Sequence, residues 1–252
     1  MSIKSIGREK SGPVFRVEDK YALSGQQMDL LETRLQGAVH PDRHSAGAGY
    51  RISSLYFDDL RDSCYYDSLD GNPQRDKYRI RIYNDSMDMI RLEVKRKLYN
   101  RAYKLTSVIT TAELEELKAG RCIREESGAR DNAKRLFNLA VLTRGLRPRT
   151  VVTYERKAYV TAAGNVRITF DRNLRASGDT DAFGRDTQHL QYSYVTDPLY
   201  PELAGNILEV KYDQFLSKYI AQLLETGEMQ QTSNSKYCLC RDTLDVMRLR
   251  KL

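Results

Sequence analysis

The chain has 252 residues, of which 40% are hydrophobic and 30% charged, a composition typical of a soluble globular protein. Its 41 Lys and Arg residues exceed its 34 Asp and Glu residues, and the net charge of +7 indicates an anionic partner. No apolar run approaches the ~18 residues of a membrane span, and the first residues lack the apolar stretch of a signal peptide, so the sequence predicts a cytoplasmic protein. The four cysteines are interpreted as reduced thiols.

The first quarter of the chain predicts strands alternating with helices. Residues 14–23 alternate between apolar and polar side chains, which is typical of a strand. Ser24 can then cap a helix, because Met28, Leu31 and Leu35 recur at helical spacing. The next predicted elements are a loop over 40–49, a strand over 50–58 and a short helix within 59–71.

The rest of the chain predicts an antiparallel meander followed by further strands and helices. Strands are predicted over 74–83, 89–98, 101–109, 149–160, 165–172 and 206–213. Helices are predicted from Thr111, over 130–143 (with Leu136, Leu139 and Leu142 at helical spacing), over 214–226 and over 236–248, and 173–200 is predicted to be a loop region with one short strand. These elements indicate a single α+β domain over residues 1–252, with residues 1–12 flexible.

Cations alternate along the first strand of the meander. Arg75, Lys77, Arg79 and Arg81 occupy every second position of RDKYRIRIY, so a strand would place all four on one face. Residues 75–104 contain ten Lys or Arg against four acids, which accounts for most of the net charge. Like charges on one face repel each other, and the pattern therefore indicates an anion on that side.

The same alternation recurs on strands that lie far apart in the chain. Within 90–97, Arg91, Glu93, Lys95 and Lys97 oppose apolar residues, and Arg167 and Lys211 continue the pattern in later strands. An antiparallel sheet with one solvated face would explain any single strand. If the strands instead close into a barrel under the helices, the charged faces become its interior, where unpaired charge is costly. An extended polyanion would then match several rows of cations.

The ordered series RVEDKY, SLYFD, GNPQRDKYRIRIY, RLEVKRK, TYERKAY, VRITFD, ILEVKYD and a late SKY resembles the triphosphate tunnel metalloenzymes. Within that superfamily it is similar to the VTC branch, whose best-known member is a polyphosphate polymerase. The resemblance extends from residue 14 to about residue 240. It implies a closed, eight-stranded, mostly antiparallel tunnel with a charged interior, flanked by helices.

The resemblance also implies roles for individual residues. Phosphates would be held by Lys20, Arg79, Arg81, Lys95, Arg156, Arg167 and Lys236, with Arg75, Lys77, Lys104 and Lys211 as further substrate-binding cations. A divalent Mn²⁺ or Mg²⁺ ion would be held by Glu209, and Glu93 and Glu18 are further candidate ligands. Each of these carboxylates could instead neutralise a neighbouring cation. Of two SKY sequences, the one at Lys236 fits the family's order, and Lys218 is interpreted as a helix-surface lysine.

One motif departs from the hydrolase and cyclase branches of the superfamily. Those branches open with Glu-x-Glu-x-Lys, whereas this chain has Arg16, Glu18 and Lys20. The replacement favours a polymerase that uses ATP and extends polyphosphate, because an attacking phosphate needs no carboxylate to activate it. A hydrolase of tripolyphosphate or nucleoside triphosphate and a non-catalytic polyphosphate receptor remain alternatives. Pyrophosphate is a further candidate ligand, and a membrane partner is left open. Nucleic acid is not expected, since Tyr78 would point away from the cations.

Overall fold

The structure is a computed structural model that describes residues 16–45, 47–99, 101–125, 132–185, 193–195, 203, 205–225, 229–232 and 235–249. The predicted flexible segment 1–12 lies outside the described residues. None of the described helices is both long enough and apolar enough to cross a membrane.

Strands and helices alternate along the chain much as predicted. The strands are β1 Val17–Ala22, β2 His40–Pro41, β3 Tyr50–Asp58, β4 Gln74–Tyr83, β5 Ser86–Leu98, β6 Arg101–Ile109, β7 Arg147–Thr161, β8 Val166–Ser177, β9 Ser193–Tyr194, β10 Ile207–Tyr212 and β11 Gln230–Gln231. The helices are α1 Gly25–Gln36, α2 Ser63–Leu69, α3 Thr111–Lys118, α4 Ala133–Arg144, α5 Lys218–Leu224 and α6 Lys236–Leu249. Strands β3, β4 and β6 have the predicted bounds.

The strands form one curled sheet in the order β11-β1-β10-β8-β7-β3-β4-β5-β6, and every pairing is antiparallel. Eight long strands build a half-barrel flanked by the helices, which confirms the predicted α+β tunnel fold. Backbone hydrogen bonds do not join β6 to β1 or β11 within the described strands. Side chains connect the two sides instead, since Lys95 Nζ of β5 lies 2.9 Å from Glu18 Oε2 of β1.

Local sequence signals set the helix ends. Ser24 caps α1 as predicted: its side chain accepts a hydrogen bond from the backbone N–H of Gln27. The Gln27 side chain accepts one from the backbone N–H of Ser24, which completes a capping box. Helix α2 begins later than the start of its predicted window, because Asp59 Oδ1 accepts hydrogen bonds from the backbone N–H groups of Arg61 and Ser63 and holds that segment in a turn.

The helices α3 and α4 cover the apolar outer face of the meander. Phe137 of α4 is fully buried and packs edge-on against Phe57 of β3, with ring centroids 4.9 Å apart. The predicted helix exists, but Leu139 and Leu142, which indicated it, are 54% and 75% exposed. The buried face of α4 is shifted from the predicted leucine row because Phe137 fits against the sheet.

Helix α6 packs on the opposite, cation-bearing side of the sheet. Tyr56 of β3 pairs with Arg79 of β4 in the sheet register, so the two side chains share a face. Tyr237 of α6 stacks on Tyr56, with ring centroids 5.0 Å apart and ring planes 16° apart. Its hydroxyl donates a 2.8 Å hydrogen bond to Asp58, which is fully buried. These contacts fix the start of α6, and therefore Lys236, against the inner face.

Gly49 sits at φ +89° directly before β3, and a Cβ there would collide with the backbone oxygen of Arg156. Gly49→Ala is therefore expected to destabilise the protein by about 2 kcal/mol, measured by urea unfolding, because alanine is strained at this φ and has no room. Gly37→Ala is the control, since Gly37 has φ −89° and open space around it. Equal stability of the two variants would contradict the tight approach of residue 49 to β7.

Candidate functional site

The inner face of the sheet lines a cavity of about 1240 Å³. Its lining contains twelve Lys or Arg side chains and two acids, Glu18 and Asp213. All the predicted phosphate-binding and substrate-binding cations lie in this lining except Lys236: they are Lys20, Arg75, Lys77, Arg79, Arg81, Lys95, Lys104, Arg156, Arg167 and Lys211. Residues that are far apart in the chain are thus brought to one space, as the alternation of charges predicted.

Strand register explains how the cations of the meander meet. Arg79 of β4 lies opposite Glu93 of β5, and Lys77 lies opposite Lys95. Lys95 in turn lies opposite Lys104 of β6. Because directly opposite residues project to the same face, three neighbouring strands present one continuous charged surface.

Glu93 is the centre of the first ion-pair cluster and is fully buried. Its Oε2 accepts a 2.7 Å hydrogen bond from Arg79 Nε, and its Oε1 accepts a 2.8 Å bond from Lys104 Nζ. Arg81 NH1 lies 3.8 Å from the same Oε2. Burial opposes ionisation, but these three cations lower the pKa of Glu93 below its usual range. Both oxygens of Glu93 are therefore engaged by cations of the protein, as are the oxygens of Glu18 and Glu209.

A second cluster joins the start of α6 to strands β7, β8 and β10. Lys236 Nζ lies 2.7 Å from Asp171 Oδ2 and 2.8 Å from Glu209 Oε1. Arg156 forms a bidentate pair with Asp171, with both N–O distances 2.6 Å. Although burial favours the neutral amine, the two carboxylates raise the pKa of Lys236, so it remains a cation. Lys236 thus reaches the site from the predicted helix, whereas Lys218 is exposed at the start of α5.

Asp171 is a member of this cluster that the sequence analysis did not select. It shares the polar face of β8 with Arg167, and that alternation was the available signal. The chain gives no indication that its carboxylate meets Arg156 and Lys236, since those contacts depend on strand pairing and on the docking of α6.

Glu18 forms the third cluster and faces the cavity. Its carboxylate lies 3.1 Å from Lys20 Nζ, 2.9 Å from Lys95 Nζ and 3.7 Å from Lys211 Nζ. Burial lowers the pKa of Lys95 to about 8, although Glu18 opposes that shift. Arg16, the residue that departs from the hydrolase motif, lines the same cavity and pairs with Asp213 at 3.1 Å. The position therefore adds a cation beside Glu18 instead of a second carboxylate.

Hydroxyl groups orient the guanidinium groups of β4. Arg79 NH1 donates to the Tyr56 hydroxyl at 2.9 Å, and Arg81 Nε donates to Ser54 Oγ at 3.1 Å. Arg81 NH2 also donates to the Tyr154 hydroxyl at 3.3 Å. Ser54 and Tyr56 were predicted only as part of a strand; their alternate spacing in SLYFD was the signal that could have placed them beside the cations. They fix the orientation of the two guanidinium groups on the inner face of the sheet.

The remaining predicted phosphate ligand, Arg167, faces the cavity from β8. Its guanidinium pairs with Asp42 and donates a 3.3 Å hydrogen bond to the Tyr50 hydroxyl. Nine of the twelve lining cations, Arg167 included, have such an acidic partner. The paired cations are held in fixed positions before any substrate arrives.

The carboxylates fit a metal ion that arrives with phosphate. Glu18 and Glu209 both contact Lys211, at 3.7 and 3.1 Å, so their oxygens lie near one another. Hard oxygen ligands suit Mg²⁺ and Mn²⁺, and Mg²⁺ is commonly held by one or two carboxylates together with substrate phosphates. No cluster of three or more His, Cys, Asp or Glu that could bind an ion by itself occurs among the described residues. The donor set therefore fits a metal shared with the substrate.

The model of the VTC domain family matches residues 15–244, which is most of the chain. The chain belongs to the VTC domain family. The predicted similarity to the VTC branch is thereby confirmed. Among solved structures it is similar to a candidate adenylate cyclase from Bacillus halodurans, with 12% identity, a TM-score of 0.48 and coverage of 84% of this chain and 87% of the other.

Two further solved structures are similar to this VTC domain. One is the PH1819 protein of Pyrococcus horikoshii, with 13% identity, a TM-score of 0.43 and coverage of 92% and 99%. The other is the Mimivirus capping enzyme triphosphatase, with 7% identity, a TM-score of 0.41 and coverage of 84% and 90%. No curated protein sequence matches the chain.

Proposed function

We propose that this VTC domain is a metal-dependent polyphosphate polymerase that transfers the γ-phosphate of ATP onto a polyphosphate chain. The observation that supports this most directly is the cavity of about 1240 Å³ with twelve cations and two acids in its lining. Its volume exceeds the range of about 300–1,000 Å³ typical of small-molecule sites, so a nucleotide and part of a chain can share it. The excess of positive charge matches a linear polyanion.

Phosphoryl transfer depends mainly on positioning and on neutralising charge. The terminal phosphate oxygen of the chain attacks the γ-phosphorus of ATP; the bond from that phosphorus to the bridging β,γ-oxygen breaks, and ADP leaves with the electron pair. The attacking oxygen is already anionic near neutral pH and needs no general base. This agrees with Arg16 at the position where the hydrolase branch has a Glu.

The ion-pair clusters indicate which residues would bind phosphate and which would lie beside the metal. Arg79 and Arg81, held by Glu93 and by hydroxyl groups, would grip phosphate oxygens with their guanidinium forks. Lys236 and Arg156 would supply charge beside the metal-binding Glu209. A divalent ion, when bound, would neutralise phosphate oxygens and polarise the phosphoryl group. Preformed ion pairs reduce the reorganisation needed when substrate binds.

The products formed from ATP should distinguish a polymerase from its alternatives, and removal of Arg79 should show whether the cavity carries out the synthesis. Incubation of the protein with ATP and Mn²⁺ or Mg²⁺, with and without a short polyphosphate primer, should give lengthening chains on a gel stained for polyphosphate. Arg79→Ala should lower chain synthesis on the order of a hundredfold, because it removes a bidentate contact to charge that develops in the transition state.

The control is Arg135→Ala, which removes an exposed arginine of α4 and should leave synthesis unchanged. Orthophosphate without lengthening chains would identify a hydrolase. Binding of polyphosphate without turnover would identify a receptor. Either result would contradict the proposed polymerase.

A further inference from the structure

Three cavity cations differ from the other nine. Arg75, Lys77 and Lys97 line the cavity, yet in the part of the chain that the structure describes none of them lies within ion-pair distance of a carboxylate. Arg75 NH1 instead donates to the backbone oxygen of Asn72. The three residues are called the acid-free group below.

The sheet register forces the acid-free group together. Arg75 of β4 lies directly opposite Lys97 of β5, and Lys77 lies opposite Lys95. Like charges directly opposite each other in an antiparallel pair are destabilising. At the next position on the same face this repulsion is absent, since Arg79 lies opposite Glu93. The acid-free group therefore has an electrostatic cost that a bound anion would offset.

The pKa values of Lys77 and Lys97 are lowered by burial and by the same repulsion between neighbouring cations. Burial lowers the pKa of Lys77 to about 7, and Lys20, Lys95 and Arg75 push it in the same direction, while Cys238 of α6 opposes them. Burial, Arg75 and Lys20 also lower the pKa of Lys97, while Glu18, beyond ion-pair distance, opposes them. A phosphate placed here would favour the charged form of both lysines and would remove the repulsion.

The positions of Glu18 and Glu209 indicate which phosphates the acid-free group would bind. The triphosphate of ATP reacts with a metal bound, and the metal candidates Glu18 and Glu209 lie among the acid-paired cations. A metal ion neutralises part of the charge of those phosphates, so nearby carboxylates repel them less. The rest of a polyphosphate chain carries its full negative charge and is better matched by cations with no acid beside them.

We propose that Arg75, Lys77 and Lys97 form an accessory subsite that binds phosphates of the chain beyond the reacting triphosphate and gives the protein a preference for long polyphosphate. This proposal rests on the proposed function for its substrate class. The subsite adjoins the acid-paired region through Lys95, which is opposite Lys77 and contacts Glu18. A chain can therefore run from the metal region into the subsite without leaving the cavity.

The test compares the affinities of the full chain for inorganic tripolyphosphate and for a long linear polyphosphate. In Lys77→Gln/Lys97→Gln, the affinity for long polyphosphate should fall at least about tenfold, since two charge-assisted contacts to phosphate are lost. The affinity for tripolyphosphate should change less than about twofold. The ligand-free variant should also melt at the same or a higher temperature, because two repelling charges are gone.

Matched variants keep the result specific. Lys97→Arg retains the charge and should keep the preference for long chains, and Lys218→Gln removes an exposed lysine outside the cavity and should change neither affinity. An equal loss of affinity for both ligands, no loss for the long chain, or a lower melting temperature would each overturn the subsite. These are binding measurements, so a wild-type protein that binds long chains but does not extend them would contradict the polymerase while leaving the subsite supported.

Discussion

Glu209→Gln is expected to lower turnover of ATP into polyphosphate on the order of a hundredfold or more. Glu209 is 7% exposed and accepts contacts from Lys236 at 2.8 Å and from Lys211 at 3.1 Å. An amide has nearly the same shape but lacks the charge that a divalent ion requires, so metal-assisted charge stabilisation is lost. The fold should persist, because Asp171 still neutralises Lys236.

The dependence of turnover on metal concentration tests this prediction most directly. Turnover of Glu209→Gln should respond weakly to Mn²⁺ or Mg²⁺ over the range that saturates the wild type. Binding of polyphosphate without metal should be unchanged or tighter, because one negative charge has left a cationic cavity. Glu115→Gln, an exposed residue of α3, is the matched control. Wild-type turnover with wild-type metal dependence would exclude Glu209 as a ligand.

Glu93→Gln should have the largest effect on stability, a loss of about 3–5 kcal/mol in the free energy of unfolding. The substitution removes the charge that neutralises Arg79, Arg81 and Lys104, and breaking a buried ion pair leaves the remaining charge uncompensated. Urea unfolding at neutral pH measures the loss. Added polyphosphate should restore more stability to the variant than to the wild type, since phosphate can replace the missing anion.

The pH dependence of stability should change in the same variant. The cations lower the pKa of folded Glu93 below that of the unfolded chain, near 4.5, so its stabilisation is complete above that pH. It is lost as the pH falls below about 4.5, when the unfolded state binds a proton that the folded state binds less readily. Unfolding at pH 7 and pH 4 should show a larger acid-induced loss for the wild type than for Glu93→Gln. Equal losses would mean that Glu93 is not held as an ion pair.

The alternation of side chains made much of the site predictable. In β4, a period of two placed Arg75, Lys77, Arg79 and Arg81 on one face, and the structure places all four in the cavity. Periodicity reports the face of a strand, however, and not the residue opposite it. The acid-free group could not be recognised from the chain because its defining property, Arg75 opposite Lys97, follows from register.

Contacts between distant strands of the curled sheet could not be predicted from the sequence. The closure between Glu18 and Lys95 depends on the curvature of the whole sheet, and so does the engagement of Asp171 by Lys236. The spacing of three leucines predicted the helix α4 but not its buried face, which the structure shows to include Phe137 packed against Phe57. Tertiary packing decides between faces of similar hydrophobicity.

The docking of α6 onto Tyr56 has a consequence for protein synthesis. The eleven strands that the structure describes all precede α6 in the chain, so a ribosome can expose Asp171 and Glu209 before Lys236 has been added. Until the helix docks, those two carboxylates share only Arg156 among the cations of this cluster, and the cluster carries one positive charge fewer. A chain without α6 would therefore present a less positive surface beside β8 and β10 than a chain in which α6 has docked.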